Sequence, residues 1–177
     1  MPMLAERFPE REAKTVQQAT LCFLIEGKRV LLAMKKRGFG EGLWNGSGGK
    51  AYEGEAIPVA VRREAFEELS VHITETQPVA VLHFYFPEDP AKEGWNQDVH
   101  VFLVKCWLGE PKEGEEMKPR WFDKSTLPFD SMWADDRYWL PRVLAGEVIE
   151  GWFSFDDNNK VLDWEIKNVE QGGKISS

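Results

Sequence analysis

The sequence predicts an α+β chain with helices packed on a mixed β-sheet. Three observations carry that reading. Short apolar runs bounded by turn residues recur along the chain and read as strands. The stretch Ile57–Leu69 places Val61, Ala65 and Leu69 at helical spacing. A second helical stretch, at 137–145, follows most of the strands and is ended by Gly146.

In chain order, residues 1–14 are polar and read as a loosely ordered extension. The run 19–25, the turn Glu26-Gly27-Lys28 and the run 29–34 form a hairpin. Seven glycines between Gly38 and Gly54 mark a shaped loop and not a regular element. Pro58 suits the first turn of the 57–69 helix, where a missing N–H costs nothing. Further strands are expected at 79–86, 98–108 and near 120–122, with a polar loop at 87–97. A closing hairpin, 151–155 with 161–166, completes a single domain spanning 1–177.

The 22 Lys and Arg against 30 Asp and Glu give a net charge of −8, which excludes a uniformly basic surface for a nucleic-acid polymer. An anionic ligand would need a metal or a local basic loop. Cys22 and Cys106 lie in apolar runs and read as small core residues of a reducing compartment. No apolar run reaches the length of a membrane span. The first residues mix Glu6, Arg7, Glu10, Arg11 and Glu12, unlike a signal or transit peptide, so a cytoplasmic location is expected, and the chain is taken to act as a monomer. His72, His83 and His100 have no metal-ligand spacing and read as structural.

Glu64, Glu67 and Glu68 lie at i, i+3 and i+4 and share one helix face. Carboxylates this close repel by a few tenths of a kcal/mol per pair on an isolated helix, about the size of other such pairs. A divalent cation reverses that sign, and Mg²⁺ prefers such hard oxygen ligands. A solvated face with Arg63 and Glu67 paired at i, i+4 produces the same triple. The spacing around it separates the two readings. Gly49, five residues, Glu55, seven residues, then Arg63-Glu64-Ala65-Phe66-Glu67-Glu68 resembles the box of the Nudix hydrolases at every charged position. Ser70 stands where that box has its last Gly, a position that usually closes the helix in a left-handed conformation.

The resemblance extends over roughly 20–166. It includes Met34-Lys35-Lys36-Arg37-Gly38-Phe39-Gly40, Trp44-Asn45-Gly46, Glu116-Met117-Lys118-Pro119-Arg120-Trp121-Phe122 and Met132-Trp133-Ala134-Asp135-Asp136-Arg137-Tyr138-Trp139. These segments resemble the MutT-like Nudix enzymes that clear oxidised purine nucleoside triphosphates such as 8-oxo-dGTP and 2-oxo-dATP. The resemblance implies an α/β/α sandwich and hydrolysis to nucleoside monophosphate and pyrophosphate. It implies that Glu64, Glu67, Glu68, Glu116 and the Gly48 carbonyl hold Mg²⁺, with Mn²⁺ as a substitute. Asn45, Asp135 and Asp136 would bind the base edge, flanked by Ala134. Trp133 would stack on the base, with Phe39, Phe84 and Trp139 completing the wall. Thr20 and Lys35 would meet sugar and phosphates, and Ser47, Gly48, Gly49 and Lys50 would border the triphosphate.

The chemistry of those side chains agrees. Asn carries both a donor and an acceptor and can read a purine edge. Two adjacent Asp in a dry pocket do not both stay ionised, so the pair can present a donor and an acceptor together. An Asp pair opening a helix also serves as an N-cap, and both readings stand at this stage. Two rival activities stand beside the purine triphosphatase. One is a Nudix hydrolase of dinucleoside polyphosphates or capped RNA, and the other a non-catalytic nucleotide-binding regulator.

Overall fold

The computed structural model describes residues 3–9, 16–87 and 90–170. The chain runs α1 (Leu4–Arg7), β1 (Gln17–Glu26), β2 (Arg29–Lys35), β3 (Trp44–Asn45), β4 (Ser47–Lys50), α2 (Ile57–Leu69) and β5 (His72–Tyr85). A 3₁₀ turn (Pro90–Trp95) leads to β6 (Gln97–Leu108) and β7 (Met117–Asp123). A second 3₁₀ turn (Phe129–Ser131), α3 (Asp136–Leu144), β8 (Ile149–Phe155) and β9 (Val161–Asn168) follow.

The strands join in the order β3-β2-β1-β6-β5-β8-β9, with β4 added to β1 and β7 to β2. The β1–β6 and β5–β8 pairs are parallel, and the β1–β2, β5–β6 and β8–β9 pairs antiparallel, so the sheet is mixed. Because side chains alternate across a strand, β1 serves two cores. Leu21, Phe23 and Ile25 pack with Val101, Leu82 and the α3 residues Trp139, Leu140 and Val143. Cys22 and Leu24 pack with Phe102, Val104 and the α2 residues Val61, Ala65 and Leu69. A helix thus covers each face of the sheet. Among the described residues, no helix is long and apolar enough to cross a membrane.

The expected hairpin forms, with Ile25 opposite Val30, Glu26 opposite Arg29, and Gly27 at a φ of 57° in the turn. The glycine-rich stretch departs from expectation. Instead of an irregular loop, Ser47–Lys50 is a strand paired with Ala19 to Cys22. The missing side chains make this possible: a Cβ on Gly48 would lie 1.9 Å from the Thr20 carbonyl oxygen. Ser70 ends α2 in the left-handed conformation, at φ 60°, as its box position implies.

Two other expectations give way. Residues 3–9 were read as part of a loosely ordered extension, but they dock on the sheet. Phe8 is buried with Tyr85 and Trp152, and Arg7 pairs with Asp163 and Glu165 of β9. The other residues of that stretch, 1–2 and 10–14, lie outside the described residues. Cys106 was expected in the core and is exposed, while Cys22 is buried.

Candidate active site

A cleft of about 310 Å³ opens where β1, β4 and the ends of β5 and β6 meet the segments before α3. Its lining includes Thr20, Lys35, Phe39, Asn45, Gly48, Gly49, Lys50, Glu68, Phe84, Glu116, Trp133, Asp135, Asp136 and Trp139, all singled out from the sequence. Two buried oxygens on these walls, Thr20 Oγ1 and Asp136 Oδ2, have no hydrogen-bond partner among the described residues. Orphaned buried polar atoms are costly, at about 1–3 kcal/mol each, and collect where a ligand completes the bonding.

At one end, α2 lays its carboxylates against β4. Glu68 Oε2 accepts hydrogen bonds from Ser47 Oγ at 2.8 Å and Gly48 N at 3.3 Å. Glu64 reaches the same strand, because a Cβ on Gly49 would sit 2.6 Å from Glu64 Oε1. The Ser47-Gly48-Gly49 sequence therefore provides a hydroxyl and a backbone N–H for Glu68 and, at Gly49, the bare position that admits Glu64. Burial pushes the Glu68 carboxyl up to about 7, against the lowering hydrogen bond from Ser47, and the Glu64 charge adds to the rise. Burial also raises Glu64, opposed by Arg63.

Arg63 is the counterweight of this end. It bonds Glu55 at 2.8 Å, Glu64 at 3.0 Å, Glu67 at 3.1 Å and the Lys50 carbonyl at 3.1 Å, and its guanidinium lies 3.9 Å from the centre of the Tyr52 ring. The four glutamates expected to share a cation are gathered only in part. Glu64 and Glu68 converge on β4, whereas the Glu67 side chain is 49% exposed and turned to Arg63. Glu116, 65% exposed, lies 3.3 Å from Arg37. Among the described residues, no three Asp, Glu, His or Cys side chains are grouped closely enough to hold a metal ion. The chemistry of the Glu64–Glu68 pair still suits a hard divalent cation, with two partly buried carboxylates whose mutual repulsion a cation would remove.

At the other end, Asp135 and Asp136 are buried at the start of α3. Asp135 makes no side-chain capping bond there, so the N-cap reading fails. Its Oδ2 instead accepts the Trp139 indole N–H at 2.8 Å. Burial raises both carboxyls, and the charge of Asp135 lifts Asp136 further. The pair is therefore suited to hold a proton. Asn45 Oδ1 accepts from Gly46 N at 2.8 Å, which leaves the Asn45 amide N–H groups for the cleft. Phe39 and Trp133 stand with ring centres 5.0 Å apart, tilted by 40°.

Two expected residues take other places. Ser47 is buried and donates its hydroxyl to Glu68 instead of lining the cleft. Ala134 lies outside the main cleft, in a shallower hollow beside Trp133. Trp139, though fully buried by its packing, lines the cleft as expected and adds the hydrogen bond to Asp135. The sequence reading missed Leu43, Phe86, Gln97, Phe155 and Asn159, which also line the cleft. Phe86 and Gln97 bounded the polar loop and could have been found as its anchors. Asn159 carried no signal.

The NUDIX domain pattern matches residues 15–143. The chain is 40% identical over 151 residues to the mouse oxidized purine nucleoside triphosphate hydrolase, covering 85% of this chain and 94% of that protein. It is 40% identical over 156 residues to the zebrafish protein of the same name, covering 88% and 97%. Among solved structures, a mutator MutT protein from Bacillus halodurans matches with a TM-score of 0.73 at 23% identity, covering 86% of this chain and 98% of that one. That last likeness concerns the fold.

Proposed function

The chain belongs to the NUDIX family, and from that premise we propose that it hydrolyses oxidised purine nucleoside triphosphates to the monophosphate and pyrophosphate. One observation carries the reading. A single cleft is lined both by the base-reading set Asn45, Asp135 and Asp136 and by the phosphate-end set Gly48, Gly49, Lys50 and Glu68. The 40% identity to two proteins named for this activity supports it.

In this reading the oxidised base stacks on Trp133, whose ring Phe39 supports from 5.0 Å, and meets Asn45 and the Asp pair. The Asp pair holds one proton and offers a donor beside an acceptor, matching the edge that oxidation changes. Thr20 and Lys35 meet the sugar and phosphates, with Lys35 and Lys50 supplying positive charge near the polyphosphate. Glu64, Glu68 and the Gly48 carbonyl would hold the divalent cation, Mg²⁺ or Mn²⁺ in its place, and Glu67 and Glu116 would join them on leaving Arg63 and Arg37. Bound there, the cation supplies neutralisation of phosphate charge and polarisation of the attacked phosphorus. Ser47 and Gly48 occupy Glu68 Oε2, so Oε1 is the atom left to face the cation and the attacking water, whose proton passes to the carboxylate end of the cleft. Water adds to phosphorus as pyrophosphate leaves. The reading extends to a cytoplasmic monomer that acts on small nucleotides and not on nucleic-acid polymers.

The test is pyrophosphate release from 8-oxo-dGTP, 2-oxo-dATP and their unoxidised counterparts with Mg²⁺, for wild type and Glu68→Gln. Turnover favouring the oxidised bases and lost in Glu68→Gln is expected. Preference for a dinucleoside polyphosphate or capped RNA would overturn the assignment.

A further inference from the structure

Asn159, in the turn between β8 and β9, lines the cleft but belongs to no motif read from the sequence. Its backbone is left-handed, at φ 61°, a conformation that Asn tolerates better than most residues. Its side chain is fixed from behind. Lys92, in the Pro90–Trp95 turn, donates to Asn159 Oδ1 at 3.1 Å and to the Asp157 carbonyl at 2.9 Å. Lys92 is only 8% exposed, and buried lysines are rare unless bound to acceptors in this way. An ammonium only donates, so the amide oxygen must face Lys92 and the amide N–H groups must face away. The same turn carries Trp95, whose ring centre lies 4.7 Å from that of Phe39 and 5.9 Å from that of Phe86, both cleft residues. One short segment therefore orients an amide and supports two aromatic walls of the cleft.

We infer that Asn159 is a specificity-determining residue that donates a hydrogen bond to an acceptor on the bound nucleobase, with Lys92 as its positioning residue. The site is at the base end of the cleft. Asn159 shares an adjoining hollow with Phe39, Leu43 and Trp133, and neither Glu68 nor Gly48 to Lys50 borders that hollow. Asn45 and the Asp pair line the same cleft, so Asn159 would add a further contact to the base they read. The inference rests on the proposed nucleotide reading, and it adds a contact that the family box and the Trp-Asp segment do not contain.

The test is calorimetric binding of 8-oxo-dGMP without metal, which removes turnover from the readout. Wild type is compared with Asn159→Gly and Asn159→Asp. Aspartate keeps an acceptor for Lys92 while removing the donor and should melt near wild type; glycine accepts the left-handed backbone but takes one acceptor from buried Lys92, so it should stay folded and melt somewhat lower. About tenfold weaker binding is expected for the glycine variant and a larger loss for the aspartate variant. Lys92→Met should weaken binding in the Asn159 background and change nothing in the Asn159→Gly background, a non-additivity that a merely structural lysine would not give. Wild-type affinity in both Asn159 variants overturns the inference while leaving the proposed function standing. No binding of 8-oxo-dGMP by wild type removes the proposed function, and this inference falls with it.

Discussion

Trp139 donates its indole N–H to Asp135 Oδ2 across 2.8 Å, one helical turn back along α3. That bond divides the work of two neighbouring acids. Asp135 is held as an acceptor, while Asp136 is buried beside it with Oδ2 unpartnered among the described residues. Asp135→Asn keeps the shape, removes the charge and relieves the repulsion that lifts Asp136. Burial, the larger cause, still holds Asp136 up, but it ionises at lower pH than in wild type, and the new amide fixes a donor where the proposed pair could exchange donor and acceptor. The expected outcome is a drop of about tenfold or more in the ratio of kcat/KM for oxidised over unoxidised purine triphosphates. An unchanged ratio would remove the Asp pair from base recognition.

Glu68 separates activity from stability. Its folded pKa, about 7, lies above the ordinary carboxylate value, because burial opposes ionisation. Ionised Glu68 therefore costs stability, and the cost grows above the unfolded pKa and is complete above about 7. Glu68→Gln removes the cost, which is on the order of 2–3 kcal/mol at high pH. The variant should lose at least about 100-fold in kcat yet melt no lower than wild type at pH 8. Added Mg²⁺ should raise the wild-type melting temperature more at pH 8 than at pH 6, and should do little for the variant.

The two ends of the cleft were legible in the sequence for different reasons. The carboxylate end is local: Glu64 and Glu68 are one turn apart, and helical geometry alone puts them on one face. Asn45, Asp135 and Asp136 were legible only because whole segments resembled a family. The shaping of β4 was hidden, since Ser47-Gly48-Gly49 has the composition of a loop. Its strand character comes from the close approach to Thr20 that those glycines permit. Asn159 was hidden more deeply. Its place depends on how the β8–β9 hairpin returns to the cleft and on Lys92, 67 residues away in sequence. Phe8 likewise lies in a charged stretch whose partners, Tyr85 and Trp152, are set by the sheet order.

Ser70 ends α2 at φ 60° and ψ 32°, with its N–H bonded to the Phe66 carbonyl. A side chain in that conformation costs about 1 kcal/mol relative to glycine, partly offset by the greater freedom of glycine in the unfolded chain. Ser70→Gly should stabilise the protein by about 0.5–1 kcal/mol, seen as a rise in the denaturant midpoint with unchanged slope. A lower midpoint would mean that the serine hydroxyl contributes more than the strain removes.

His83 gives stability a dependence on pH that is independent of the cleft acids. Its Nδ1 lies 2.6 Å from Asp98 and its Nε2 2.8 Å from Glu150, joining β5, β6 and β8. Both ring nitrogens meet carboxylates, which favours the doubly protonated ring. Burial alone would lower its pKa, but the bonds to Asp98 and Glu150 override it and hold the ring above its ordinary value. Asp98 moves the other way: burial would raise it, and the bond from His83 lowers it. The contribution of His83 is therefore complete below its unfolded pKa and fades as pH rises through the higher folded one. The contribution of Asp98 is present above its own unfolded pKa and fades in acid. Wild type should thus hold this support from mildly acidic pH up to the folded pKa of His83. His83→Gln should melt lower than wild type at pH 6, with the gap narrowing toward pH 9. A gap that stays constant across that range would mean that His83 acts through packing against Trp152 and not through its charge.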